Sequence, residues 1–278
     1  MHADDWTRGH KSRTGTIPRV NVLGVEVSAI DMDDAYRAIA GWVAARDRRY
    51  VCITGVHGVM ESVRDPMLRD IHNAAGLVTP DGMPLVWLCR TAGFPNANRV
   101  YGPDLMLSVC RRSVSVRFRH FLYGGGEGVA PLLATRLRAR CPGLLIVGTH
   151  TPPFRLIGQH EENAVVEEIN AAAPHIVWVG LSTPKQERWM SRLRSRLEAP
   201  VLIGVGAAFD FHAGLKKQAP RWMQRNGLEW LYRMMSEPRR LGPRYLRNNP
   251  SFLWNLVCHG LATRRLGTTA TSTDTMEW

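Results

Sequence analysis

The chain lacks any long hydrophobic run. None of its 278 residues belongs to a stretch near the roughly 18 apolar positions that cross a bilayer. The best candidate, 252–262, is short and carries Asn255 and His259. Residues 1–19 are polar and basic with no apolar core, so no secretory signal is expected there. Cysteine is scarce. Cys52, Cys89, Cys110, Cys141 and Cys258 form no C-x-x-C pair, which argues against a disulfide frame or zinc site and for a reducing cytosol. Acid is also short: 24 Asp plus Glu face 36 Lys plus Arg, a net charge of +12. That surplus points to anionic partners such as nucleotide phosphates, lipid headgroups or nucleic acid. Neither a G-x-G-x-x-G fingerprint nor the Lys-Ser/Thr of a P-loop is found, and no internal repeat is seen.

What is present alternates. Short Val/Ile/Leu-rich runs at 21–27, 50–54, 76–79, 120–123, 144–148, 175–180 and 201–205 read as strands. Helix-length segments at 32–46, 66–74, 85–91, 103–113, 129–140, 159–172 and 184–197 separate most of them. Such alternation predicts an α/β fold: a Rossmann-like, mostly parallel sheet with helices on both faces. Near residue 216 the character changes. Residues 216–247 hold nine Lys or Arg against two Glu, with Trp222, Trp230, Tyr232 and Tyr245 among them. The expected organisation is a disordered basic N-terminus (1–18), a catalytic α/β domain (19–215), a basic amphipathic helical appendage (216–263) and a disordered tail (264–278).

Three loops hold the candidate chemistry. Leu77-Val78-Thr79-Pro80 ends at Asp81-Gly82, which projects one carboxylate from a strand tip. Pro-Asp-Gly is also common turn chemistry; the functional alternative is a general base. The glycines of Gly124-Gly125-Gly126-Glu127-Gly128 open a helix and let backbone N–H groups approach a phosphate. In Ser182-Thr183-Pro184-Lys185-Gln186-Glu187 a capping box explains most residues, but leaves Lys185 and Gln186 at the mouth of a buried strand. There they can reach a diphosphate and a sugar hydroxyl. Gly206, Phe209 and Asp210 follow another apolar strand. Thr54 and His57 lie after the strand at 50–54, and each reads either as a ligand contact or as part of a turn. Asp31-Met32-Asp33 mimics a metal-binding DxD, but it opens a helix and is better read as a cap. Asp210 and His212 have no evident third ligand, so no metal is expected.

Taken in order, several segments resemble the WecG/TagA/CpsF glycosyltransferases, glycosyltransferase family 26. They are Asn21-Val22-Leu23-Gly24-Val25, Thr79-Pro80-Asp81-Gly82, Arg99-Val100-Tyr101-Gly102-Pro103-Asp104-Leu105, Tyr123-Gly124-Gly125, Pro184-Lys185-Gln186-Glu187, Gly204-Val205-Gly206-Ala207-Ala208-Phe209-Asp210 and Gly227-Leu228-Glu229-Trp230. The resemblance implies an inverting, metal-independent transfer of a sugar from a UDP-sugar to a polyprenyl-diphosphate-linked saccharide, for a cell-surface polysaccharide. It implies Asp81 as base, Thr54 as a substrate contact, Gln186 in the donor site, and an appendage that completes the site and holds the enzyme to the membrane. Arg99 falls in a matching segment. Arg221, Arg233, Arg239 and Arg240 are the appendage candidates for the diphosphate. Where relatives carry Thr-x-Asn, this chain has Thr54-Gly55-Val56 and then His57, which leaves the donor sugar open. The expected location is cytoplasmic, on the inner face of the plasma membrane, with no cofactor, no nucleic-acid partner and oligomeric state open. The rival readings are a nucleotide-cofactor oxidoreductase and a basic nucleic-acid-binding protein.

Overall fold

The computed structural model describes residues 17–155 and 157–268, with side chains through residue 258. A hairpin, β1 (Arg19–Val22) and β2 (Val25–Ser28), precedes α1 (Met32–Ala45), β3 (Arg49–Thr54), α2 (Val56–Arg64), α3 (Pro66–Ala74) and β4 (Leu77–Pro80). There follow α4 (Met83–Thr91), α5 (Gly102–Val116), β5 (Arg119–Gly124), α6 (Val129–Arg140), β6 (Leu145–His150), α7 (Gln159–Ala171), β7 (Ile176–Gly180), α8 (Lys185–Leu193) and β8 (Val201–Gly204). Four helices finish the described chain: α9 (Ala208–His212), α10 (Arg221–Arg225), α11 (Glu229–Ser236) and α12 (Pro238–Thr268).

Six strands form one parallel sheet in the order β4-β3-β8-β7-β5-β6. Central strands such as Ile176-Val177-Trp178-Val179 are buried on both faces, as uninterrupted apolar runs require. One face packs on α1, α5, α6 and α9 through Ile39, Leu105, Leu133 and Phe209. The other packs on the hairpin, α2, α4, α7 and α8 through Val27, Met60, Leu85, Ile169 and Met190. The α/β class and parallel sheet are those expected from the sequence.

Several local expectations need correction. The strand expected at 21–27 is a two-stranded antiparallel ribbon, because Leu23 (φ 53°) and Gly24 (φ 91°) take the left-handed values of a tight hairpin turn. The turn expected at 55–58 is the start of α2. Val56, Val59, Met60 and Val63 carry a helical spacing that Gly55 and Gly58 obscure. No capping box closes α8: the Thr183 hydroxyl and the Gln186 amide donate to the buried Glu187 carboxylate instead, at 2.8 and 3.1 Å. At α1 the capping interpretation holds, since Asp31 accepts from the Asp34 N–H at 2.8 Å and Asp33 pairs with Arg112.

The basic segment is helical as expected, and α12 lies against α2. Phe252 is buried there, Arg64 donates to Asn248 Oδ1 at 2.6 Å, and Asn248 Nδ2 donates to His57 Nδ1 at 2.9 Å. The helix continues to Thr268, through the boundary expected at 263. The remaining tail, 269–278, and the N-terminus, 1–16, lie outside the described residues.

Candidate active site

Asp81 stands one residue beyond β4, at the carboxyl edge of the sheet where α/β folds gather ligands. Three local features fix it. Its N–H donates to the Thr54 carbonyl at 2.9 Å, which prolongs the β3–β4 ladder. Gly55 on the neighbouring strand tip makes room, since a Cβ there would lie 2.7 Å from the Asp81 carbonyl oxygen. Gly82 then serves as N-cap of α4 and turns the chain away.

The carboxylate is held from one side. Arg99 Nε and Nη2 both reach Asp81 Oδ1, at 3.2 and 3.0 Å. Arg99 Nη2 also meets Glu229 Oε2 of α11 at 2.5 Å, and the guanidinium lies 4.1 Å from the Tyr101 ring centre. The Asp81 side chain keeps 27% of its surface open to the cavity. Burial of the remainder raises its pKa above the ordinary aspartate value, Arg99 opposes that rise, and Glu229 adds to it. The result is a carboxylate more basic than a free aspartate, beside a cation that favours its charged form.

The cavity in front of Asp81 has a volume of about 1260 Å³. It is walled by the strand-tip loops on one side and by α11 and α12 on the other. Of the residues expected in the site, it brings together Asp81, His57, Gly82, Arg99, Gly125, Lys185, Gln186, Gly206, Phe209, Asp210, Arg233 and Arg240. Gln186 is buried, with its amide nitrogen on Glu187 and its oxygen without a hydrogen bond among the described residues. Asp210 pairs with Lys216 at 3.1 Å. His57 is neutral at ordinary pH: burial first, then Arg244 and Arg64, bring its pKa down to about 4.

Four expected residues lie off the cavity wall. Thr54 is 1% exposed, its methyl faces Gly58 of α2, and its hydroxyl is buried with no hydrogen bond among the described residues. Gly124 sits behind the wall, where a Cβ would come within 2.7 Å of the Gly180 backbone; its role is close strand packing. Arg221 is taken by Asp104 of α5 at 2.8 Å. Arg239 is exposed and does not line the cavity.

The wall also holds residues that sequence reasoning missed. Arg244 lines it, 5.2 Å from the Tyr245 ring centre; beside it the expected Arg233 lies 5.8 Å from the Phe211 ring centre. Neither forms an ion pair among the described residues, whereas Arg240 is engaged by Glu237 at 2.5 Å. Arg233 and Arg244 are therefore the appendage cations best placed for an anionic ligand. Glu229 and Asn248 were overlooked as well. The only available signal was the Gly-Leu-Glu-Trp segment, whose glutamate gives no hint of a partner elsewhere in the chain. Among the described residues, no three or more His, Cys, Asp or Glu are grouped to hold a metal ion.

A lone strand-tip acid in a cavity with cationic walls is the equipment of a group-transfer enzyme acting on anionic substrates. A family model described as Glycosyl transferase WecG/TagA/CpsF family matches residues 20–266, and the chain belongs to that family. It is a glycosyltransferase. Its curated relatives include proteins named N-acetylglucosaminyldiphosphoundecaprenol N-acetyl-beta-D-mannosaminyltransferase. The one from Bacillus spizizenii is 27% identical over 205 residues, covering 74% of this chain and 77% of its own. That from Bacillus subtilis (strain 168) is 28% identical over 177 residues, with 64% and 67% covered. That from Staphylococcus aureus (strain MW2) is 25% identical over 242 residues, with 86% and 92% covered.

Proposed function

We propose that this chain transfers a hexose from a UDP-sugar to a saccharide carried on a polyprenyl diphosphate, in the synthesis of a cell-surface polysaccharide. The observation that carries this reading is the placement of Asp81 at the sheet's carboxyl edge, facing a cavity that exceeds the ~300–1,000 Å³ of a single small-ligand site. Two substrates fit where one would leave space. The names of the relatives supply the acceptor class and make N-acetylmannosamine the first donor sugar to test.

The transfer is a single displacement. The acceptor hydroxyl oxygen bonds to the anomeric carbon as the bond to UDP breaks, with inversion. Its proton passes to Asp81, and the bonding pair leaves with the diphosphate. Arg233 and Arg244, with Arg240 and Lys185, meet that developing charge from the wall, so the scheme needs no metal ion. On the outside, Trp222 is exposed between Arg221 and Arg225 in the sequence, and Trp254 and Val257 are exposed further along on α12, a surface suited to an anionic membrane at the inner face of the plasma membrane. No helix among the described residues is long and apolar enough to cross a membrane.

The test is UDP release from a panel of UDP-sugars with a synthetic prenyl-diphosphate saccharide, in excess chelator. Acceptor-dependent release is expected. A failure with every donor, together with bound nicotinamide or flavin or salt-sensitive DNA retention, would overturn the proposal.

A further inference from the structure

The site contains a carboxylate that the displacement above does not use. Glu229 is the first residue of α11 and its side chain is only 12% exposed. It meets Arg99, itself 14% exposed, and Arg99 in turn meets Asp81. The three form a chain of alternating charge running from the appendage to the sheet edge. Its geometry is one-sided: both Arg99 contacts fall on Asp81 Oδ1, and among the described residues Oδ2 takes no hydrogen bond.

A guanidinium facing a lone carboxylate prefers to engage both oxygens in parallel. Here Nη2 is shared with Glu229, 130 residues further along the chain, and the ring of Tyr101 supports the plane. The second carboxylate diverts a donor that would otherwise occupy Oδ2. We infer that Glu229 is a positioning residue for the base: by holding Arg99 on one oxygen of Asp81 it leaves the other to receive the acceptor's proton, and so couples catalysis to the seating of α11.

This rests on Asp81 being the base. The charged and titratable groups facing that carboxylate are Arg99 and Tyr101 from the loop before α5, and Glu229 and Arg233 from α11. Loss of the Glu229 charge removes one of the influences that raise the Asp81 pKa, leaving burial as the larger one, and frees Arg99 to bind both oxygens. Both changes move the base in the same direction, towards weaker basicity.

The experiment uses the full chain. Glu229→Gln keeps the shape and an acceptor oxygen. Turnover should fall roughly tenfold, the scale of one charge-assisted hydrogen bond, with donor KM little changed. The acid limb of the kcat profile should move to lower pH. Glu229→Asp retains the charge; it should hold the acid limb near its original pH and recover part of the turnover. A purely structural role predicts instead a lowered melting temperature with an unmoved limb, and that result overturns the inference. Unchanged kcat in a folded Glu229→Gln protein does the same. If Glu229→Gln does not fold, Glu229→Ala is read in its place: reduced kcat with the acid limb moved to lower pH supports the coupling, and an unmoved limb overturns it. Asp81→Asn, run alongside, separates the two hypotheses: near-normal turnover there removes the base itself, whereas a loss there with no effect at Glu229 removes only the positioning role.

Discussion

Asp81 lies between opposing influences, and its chemistry follows from their balance. Burial and Glu229 raise its pKa, while Arg99 restrains it. A base must be ionised to act, so activity is present above the Asp81 pKa and is lost as pH falls through it. The acid limb of the pH profile should therefore lie above the ~3.9 of a free aspartate. In Arg99→Ala the restraint disappears, the pKa rises further, and the limb should move to higher pH; a kcat profile across mildly acidic pH checks this. At this scale the sequence was partly legible. A Pro-Asp-Gly turn after an apolar run marked Asp81, because strand tips announce themselves locally. Glu229 was not legible, because its contact with Arg99 spans 130 residues, and Arg244 was not, because only the folded cavity shows that it lines the wall. Thr54 and Gly124 looked like ligand contacts because they sit at strand ends, but the pleat turns the Thr54 side chain under α2 and leaves Gly124 against Gly180.

The elements that decide the site meet at the joint between α2 and α12. His57 is central to it: Asn248 donates to it, Glu61 lies 3.7 Å away on its own helix, and Arg64, Arg233 and Arg244 surround it with positive charge. Its folded pKa is about 4, below the ~6.5 of an unfolded histidine. A depressed histidine contributes stability that is complete above its unfolded value and is lost as pH falls towards the folded one. Between about pH 6.5 and 4 the joint should weaken, with faster amide exchange in α12 than in the sheet helices. His57→Gln should flatten that pH dependence; exchange rates that ignore both pH and the substitution would refute it. The strands of the main sheet were legible because buried parallel strands are continuous apolar runs. The β1–β2 hairpin and α2 were not: a left-handed Leu23 carries no compositional signal, and Gly58 interrupts a helical pattern without breaking the helix.

At the scale of the whole molecule the surplus of positive charge becomes intelligible. A net +12, concentrated at residues 216–247 around exposed Trp222 and followed along α12 by exposed Trp254, suits an enzyme whose acceptor is held in a lipid surface. Binding to vesicles containing anionic lipid should exceed binding to neutral ones and should weaken as salt is added, since the Debye length shrinks from ~10 Å at 0.1 M to ~3 Å at 1 M. Equal sedimentation with both vesicle types would argue against that surface. The architecture was anticipated by the alternation of elements. The closing of the cavity by the chain's own end was implied only by family resemblance, since composition shows a basic helix but not the surface it covers.

The most direct measurement is turnover of Asp81→Asn at saturating donor and acceptor, with UDP-sugar affinity measured on the same protein. If Asp81 takes the acceptor's proton, turnover falls by at least ~10²-fold while affinity is kept. Turnover close to that of the unaltered chain would place the base elsewhere.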